Sequence, residues 1–333
     1  MKRISQREIV DLLRVNVSTV SRALRGLEGV SSELRQKILS LAKERGYRPN
    51  PFAVSLRYDT TRTIGIVVPD VSFNHYAQIV KRIEAEARKE GYMCIITDSD
   101  DKYETEKNCL ELLINMHVEG IIICLSQETT DFAHIQRLKR IHVPVVLFDR
   151  DADVDISSVV INDADTARQV TENLIDSGAK RIAFLGGPNK MKQSAERKHG
   201  YLEVLRERNI PIRKELVKCN YISYNSGLTD TLELLSLPQP PDAIIATHGL
   251  LVTSAMRAIE SRGLRIPDDI QIVGYMSDWV SEVTSPRVSF VKQNQKEIGT
   301  KAFKLLFDQL NGDTCVQHVI VKARLETRES TKK

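Results

Sequence analysis

The chain has 333 residues, 41% of them hydrophobic and 28% charged, with a net charge of +4. That length accommodates two or three domains and a substantial buried core, and its longest apolar runs, GIIICL and VPVVLF, fall far short of the ~20 residues that span a bilayer. The start MKRISQREIV lacks the apolar stretch of a signal peptide, so a cytoplasmic protein with no membrane role is expected. Five scattered cysteines, most of them in or beside apolar runs, read as buried free thiols, and the histidines show no HExxH-type spacing, so no metal or cofactor is expected. Charge is unevenly placed: residues 1–62 carry 13 Lys+Arg against 6 Asp+Glu, and the remainder 35 against 38. A basic module on a slightly acidic body points to a polyanion partner or to a merely solvated segment.

In chain order, Ser5 and Glu8 form a capping box that starts a helix with Ile9, Leu12 and Leu13 as its apolar stripe. After the turn Arg14-Val15-Asn16, Asn16 can cap a second helix, Val17 to Arg25, whose Val20 and Leu24 pack back on the first. A third helix starts at Ser31 or Ser32, places Leu34, Ile38 and Leu41 on one face, and stops at Gly46. Three short helices with a three-residue turn between the first two make a small all-α helix-turn-helix domain, whose second helix lies in a major groove. Val17, Ser18 and Arg22 then face base edges: Arg22 can grip guanine with two hydrogen bonds, Ser18 can donate or accept, and Val17 can touch a thymine methyl. Ser5, Thr19, Ser21 and Ser31 suit phosphates, three of them near helix N-termini. A glycine is usual in such a turn; Arg14 there costs ~1 kcal/mol if positive φ is required.

The segments VSTVSRALRG, GVSSELRQKILSLAKERGYRPNPFAVSLR and RTIGIVVPD together resemble the lactose-repressor (LacI) family of bacterial transcription regulators, and the resemblance extends to the terminal LETREST. In YRPNPFAVSLR, Asn50 can cap a helix and Pro51 suits its first position, giving about one and a half turns that are marginal alone. The resemblance implies that two such hinge helices, one per subunit, pair over the minor groove; Leu56 matches the leucine inserted between base pairs and Ala53 the small residue where the helices meet. A flexible linker is the other reading.

From Thr63 onward, ten short apolar runs alternate with helical stretches, the rhythm of parallel sheets covered by helices. Ten strands exceed one comfortable sheet, so the body is expected to form two doubly wound parallel-sheet lobes, periplasmic-binding-protein-like. The resemblance implies that the chain crosses between lobes near Ile161, Val291 and Val321. The expected parts are 1–49 for DNA binding, 50–61 for the hinge, 62–161 plus 292–321 for the first lobe, and 162–291 plus 322–333 for the second.

Ligands of open α/β sheets bind beyond the carboxyl ends of strands, which puts an effector in the cleft between lobes. PDVSFNHYA resembles the family's effector loop, implicating His75 and Tyr76, with Phe73 nearby; Ser126, Phe148 and Arg150 follow later strands. ERKHGY matches an Arg-x-x-Gly-aromatic pattern and makes Arg197 the strongest single candidate, able to hold a hydroxyl pair, carboxylate or phosphate. Two departures stand out: His248-Gly249 replaces the family's common Asn-Asp, and Met276 replaces an Asp after VGY. A thioether accepts hydrogen bonds weakly, which disfavours a plain neutral sugar over a sugar derivative or another small molecule, although Asp278 or Trp279 can substitute in part. The expected protein is a homodimeric repressor on double-stranded operator DNA, controlled by a small-molecule effector. The chain's end soon after RLETREST favours a dimer over a tetramer. A solute receptor is the alternative; an enzyme using Asp149, His75 and His248 finds no nucleophile elbow or phosphate loop to accompany them.

Overall fold

The computed structural model describes residues 4–47 and 60–332, which divide into two units, one ending at Thr61 and one beginning at Arg62. The expectations for Asn50, Ala53 and Leu56 lie outside the described residues. In the first unit, α1 (Gln6–Leu13), α2 (Val17–Leu24) and α3 (Ser32–Glu44) enclose a small core of Ile9, Val20, Ala23, Ile38 and Ala42. The Ser5 hydroxyl accepts the Glu8 N–H while the Glu8 carboxylate accepts the Ser5 N–H, completing the capping box. Ser31, not Ser32, caps α3, and Gly46 follows that helix at φ +65°. Arg14 does adopt the left-handed conformation, at φ 53° and ψ 43°, with its amide donating to the Val10 carbonyl.

Three expectations for this unit need correction. Leu12 is 57% exposed, because it lies on the opposite side of Ile9 from Leu13, a 100° step away from Leu13, and so off the core face that Ile9 and Leu13 share. Asn16 occupies the N-cap of α2 without a side-chain cap hydrogen bond. Ser21 lies between Val20 and Ala23 and is only 8% exposed, so its hydroxyl offers far less surface to a phosphate than its sequence position suggested.

The second unit contains two six-stranded sheets. Its first sheet takes β1 (Thr63–Val68), β2 (Met93–Asp98), β3 (Gly120–Ile123), β4 (Val145–Phe148) and β5 (Ser157–Ile161), with α4 (Asn74–Lys89), α5 (Tyr103–Asn115) and α6 (Ala133–Arg140) between them. The second takes β6 (Ile182–Gly186), β7 (Val217–Cys219), β8 (Ala243–Ala246), β9 (Gln271–Gly274) and β10 (Ser289–Lys292), and connects them through α8 (Lys192–Glu207), α9 (Tyr224–Leu235), α10 (Gly249–Ser261) and the short α11 (Asp278–Val283); α7 (Asp163–Asp176) leads into it. After β10 the chain returns to the first sheet, where α12 (Gln295–Leu310) packs on α4 and β3 to β5. Strand β11 (His318–Val321) then pairs parallel with β5, and β12 (Arg324–Glu326) pairs antiparallel with β10. Those last two strands exceed the ten expected. Both are short and half-exposed, so neither shows as an apolar run.

Strands β1, β3, β4, β6, β8 and β9 are buried throughout, as sheets covered on both faces require. At ~25 cal/mol per Å2, this two-sided burial is the main source of the unit's stability. Of the cysteines, Cys109 and Cys124 are buried and Cys94 and Cys219 half-buried, whereas Cys315 is exposed; all are free thiols.

Candidate functional site

Every element that feeds the cleft does so from the carboxyl end of a strand. From the first sheet, Phe73, His75 and Tyr76 follow β1, Asp101 follows β2, Gln127 follows β3, and Asp149 and Arg150 follow β4. From the second sheet, Gln193 and Arg197 lie on α8 after β6, Ile222 follows β7, Thr247 and His248 follow β8, and Tyr275 and Met276 follow β9.

Arg197 is 4% exposed. Its Nε donates to Asp163 Oδ1 at 2.5 Å, its Nη1 donates to the Thr247 carbonyl at 2.6 Å, and the guanidinium lies 3.8 Å from the Tyr275 ring centroid. The close approach of α7 and α8 makes this reach possible: at Gly200 a Cβ would overlap the Ala164 carbonyl oxygen, so the Arg-x-x-Gly spacing joins a charge to the glycine that lets it meet Asp163. Burial pushes the Asp163 carboxyl up to about 7 despite the Arg197 cation beside it, with Asp149 and Glu196 adding to the rise.

Arg150 is buried to the same extent. Its Nη1 donates to Asp101 Oδ1 at 2.5 Å and to the Leu125 carbonyl at 3.1 Å, while its Nε has no hydrogen-bond partner. His75 Nε2 lies 2.7 Å from Asp149 Oδ1, and His75 Nδ1 is 3.4 Å from the Gln295 amide nitrogen. Burial alone would raise the Asp149 carboxyl, but His75, Arg197 and Arg150 outweigh it and hold it below the usual carboxylate range. His248 stacks on Phe73 with ring centroids 4.6 Å apart, and its Nδ1 accepts the Leu250 N–H. Burial, helped by the Arg150 and Arg197 cations, pushes its imidazole down to about 3, so it is neutral with Nε2 carrying the proton.

Phe73, His75, Tyr76, Arg150, Arg197 and His248 therefore converge, whereas three other candidates do not present themselves to a ligand and a fourth, Ser126, does so only in part. Ser126 borders a small cavity beside Arg150, but its hydroxyl already pairs with Thr129 at 2.8 Å and its N–H donates to the buried Glu106 carboxylate. Phe148 is wholly buried in the apolar core beneath the cleft. Met276 packs in the core of the second lobe. Asp278 is exposed and pairs with Lys292 at 3.2 Å; with the exposed Trp279 it edges a separate groove of about 380 Å3 that also meets Asn74 and Gln78. Sequence reasoning missed the partners of the cationic groups, Asp101, Asp163 and Thr247, together with Gln127 and Gln193. Only the position of Asp101, Gln127, Asp163 and Thr247 just beyond strand ends could have flagged them.

In the first unit, Val17 is 52% exposed, and Ser18 and Arg22 are exposed on the same helix. Ser5 is exposed, Thr19 is half-buried, and the Ser31 hydroxyl, though exposed, already accepts the Leu34 N–H.

Comparison with known proteins places both units. The family model described as bacterial regulatory proteins, lacI family, matches residues 7–50, and that of periplasmic binding proteins and the sugar binding domain of the LacI family matches residues 61–328. Catabolite control protein A of Priestia megaterium is 32% identical over 321 residues, 96% of each chain. A solved complex of the transcriptional regulator CelR with cellobiose is 28% identical with a TM-score of 0.75, covering 98% of this chain and 100% of that one. The lac repressor dimer bound to operator and the anti-inducer ONPF superposes with a TM-score of 0.85 at 24% identity over all of both chains, a likeness of fold. On these matches the chain belongs to the LacI family of bacterial transcriptional regulators.

Proposed function

We propose that the protein is a cytoplasmic repressor that binds a pseudo-palindromic operator as a homodimer and answers to a small molecule held between its lobes. The observation that carries this reading is the meeting of Arg150, Arg197, His248 and Phe73 beyond the strand ends of two facing sheets, the place where α/β folds take ligands. A relative solved with cellobiose at 28% identity supports a sugar or sugar derivative as the class. The dimer draws support from β2, the end strand of the first sheet among the described residues, which leaves Met93 and Ile96 exposed. Residues 1–49 bind DNA through Val17, Ser18 and Arg22, residues 50–61 form the hinge, and the lobes are 62–161 with 292–321 and 162–291 with 322–333. Among the described residues no helix is long and apolar enough to cross a membrane. A role in catalysis is not proposed: the one His–Asp pair of the cleft has its free nitrogen against an amide, Gln295, and not against a nucleophile.

The test is selection of bound sequences from random DNA at fixed salt, with and without metabolite pools. It should return two related half-sites in inverted orientation, with affinity that falls steeply with salt. Arg22→Ala should relax preference at one base pair per half-site, a loss of ~1–3 kcal/mol at that position. A monomer without sequence preference refutes the reading, and a loss uniform across sequences makes Arg22 a phosphate contact only.

A further inference from the structure

The lobes are closed on each other by the Phe73–His248 stack and by a set of polar contacts. Gln193 Nε2 on α8 donates to the Asp149 carbonyl at 3.2 Å, and Lys192 pairs with Asp151 and Asp153. The most complete contact is made by Gln127, which follows β3 and is 3% exposed. Its carboxamide imitates a strand backbone: Oε1 accepts the Ile222 N–H at 2.6 Å, and Nε2 donates to the Ile222 carbonyl at 3.2 Å. A side chain of the first lobe thus satisfies both backbone groups of one residue in the second.

The orientation of that amide is fixed from behind. Asp101 accepts the Gln127 backbone N–H at Oδ1 and the second Nε2 hydrogen at Oδ2, both at 2.8 Å. The same two oxygens take Arg150 Nη1 and Nη2, at 2.5 and 3.4 Å. One carboxylate is therefore shared between an arginine of the ligand cleft and the amide that clasps the opposite lobe. Asp101 sits in a left-handed turn, at φ 53°, with its N–H on the Pro69 carbonyl, so the backbone fixes where the carboxylate stands. Arg150 keeps one buried N–H, at Nε, without a partner, and it lines a cavity of about 160 Å3 between the lobes with Thr129, Met191 and Gln193. A buried donor left unmatched favours any ligand that brings it an oxygen.

We propose that Arg150, Asp101, Gln127 and Ile222 form the relay by which the cleft sets lobe closure: a ligand oxygen that draws the Arg150 guanidinium toward itself loosens its hold on Asp101, and with it the Gln127 clasp on Ile222. This inference rests on the cleft being the ligand site. It concerns a two-state element whose balance the ligand biases, which is what coupling between sites requires.

The test uses the full-length protein without ligand or DNA, so that its failure leaves the cleft reading untouched; that reading stands or falls on the separate selection with metabolite pools. Amide hydrogen exchange is followed in the peptide containing Ile222, with the β1 peptide as a control for global opening. Gln127→Met, which keeps the length and loses both hydrogen bonds to Ile222 as well as the one to Asp101, should speed exchange at Ile222 at least ~10-fold with β1 unchanged. Arg150→Lys keeps the charge but cannot span both Asp101 oxygens and the Leu125 carbonyl, and it should speed the same amide several-fold although Arg150 makes no hydrogen bond to Ile222. Asp101→Asn should act likewise. Combining Arg150→Lys with Gln127→Met should add nothing to Gln127→Met alone, the mark of one pathway. Ile222 exchange that stays within twofold of the parent in Arg150→Lys and Asp101→Asn overturns the relay, as does full additivity in the double variant.

Discussion

Replacing Arg197 tests the electrostatic account of the cleft directly. Arg197 and Asp163 are 4% and 2% exposed, and Arg197→Met fills most of the arginine's volume while leaving Asp163 without its cation. Breaking a buried ion pair from one side costs ~3–5 kcal/mol. Within that sum lie the lost cation–π contact with Tyr275, ~2 kcal/mol when desolvated, and an unpaired Thr247 carbonyl, ~1 kcal/mol. The loss should depend on pH with a definite sign. Asp163 stands at about 7 in the folded parent against an ordinary 3.8, so its contribution to stability is present in full below about 3.8 and is lost as pH rises through about 7. Without Arg197 the folded value rises further, so the neutral acid persists to higher pH and the variant keeps losing stability where the parent has levelled off. The gap between the two should therefore be widest near pH ~9 and should shrink by ~1 kcal/mol or more near pH ~6, where Asp163 is protonated in both. Asp163→Asn with Arg197→Met should recover at least ~2 kcal/mol of the loss, because no charge is then stranded. Urea unfolding followed by circular dichroism at the two pH values measures all of this. A loss that is the same at both, or a double variant as unstable as the sum of its parts, would refute the pairing as the source of the effect.

Two further outcomes follow from the backbone and the histidine of the cleft. Arg14→Gly should stabilise the first unit by ~0.5–1 kcal/mol, since the position is left-handed at φ 53° and exposed; thermal unfolding reads this, and a lower midpoint contradicts it. His248 is held down at about 3 against an ordinary 6.5, so the folded protein refuses a proton that the unfolded chain accepts. Its stabilising contribution is present above about 6.5 and falls by up to ~1.4 kcal/mol per pH unit below that. His248→Asn should flatten this part of the acid limb in pH-dependent urea unfolding, and an unchanged slope removes the assignment.

Much of the architecture was legible because its signals are local. Ser5 and Glu8 are three residues apart and complete a capping box, Gly46 marks a helix end through its own φ, and strands buried on both faces announce themselves as unbroken apolar runs. Strands β11 and β12 escaped because their exposure leaves no such run and their pairing, with β5 and β10, depends on the chain crossing between lobes. The basic residues of the site were legible for a similar reason: an arginine after a strand or in Arg-x-x-Gly carries its own label. Their carboxylates carried none. Asp101 meets Arg150 across 49 residues and Asp163 meets Arg197 across 34, and only the fold makes either pair. Ser126 misled for the converse reason: its place after β3 suits a ligand, but the buried Glu106 captures its amide.

The pairing of the cleft's arginines changes what the site can select. Read from sequence, Arg150 and Arg197 are two cations without assigned partners, open to a hydroxyl pair, a carboxylate or a phosphate. In the folded chain each is paired with an aspartate, Asp101 for Arg150 and, at about 7, the partly protonated Asp163 for Arg197; His75 faces Asp149, and His248 is neutral, so part of the cleft's positive charge is met from within. What it does offer is direction: an unmatched Arg150 Nε–H, the His248 Nε2–H and the face of the Phe73–His248 stack. A guest with hydroxyl or carbonyl oxygens and a flat apolar face satisfies those groups without having to break an ion pair. An anion must compete with Asp101 or Asp163 for the guanidinium and thereby disturb the contacts around it. A neutral guest then acts on the lobes only through the pull of its oxygen on Arg150, whereas a charged one displaces a carboxylate outright, so the ligand's charge sets how far occupying the cleft moves the protein.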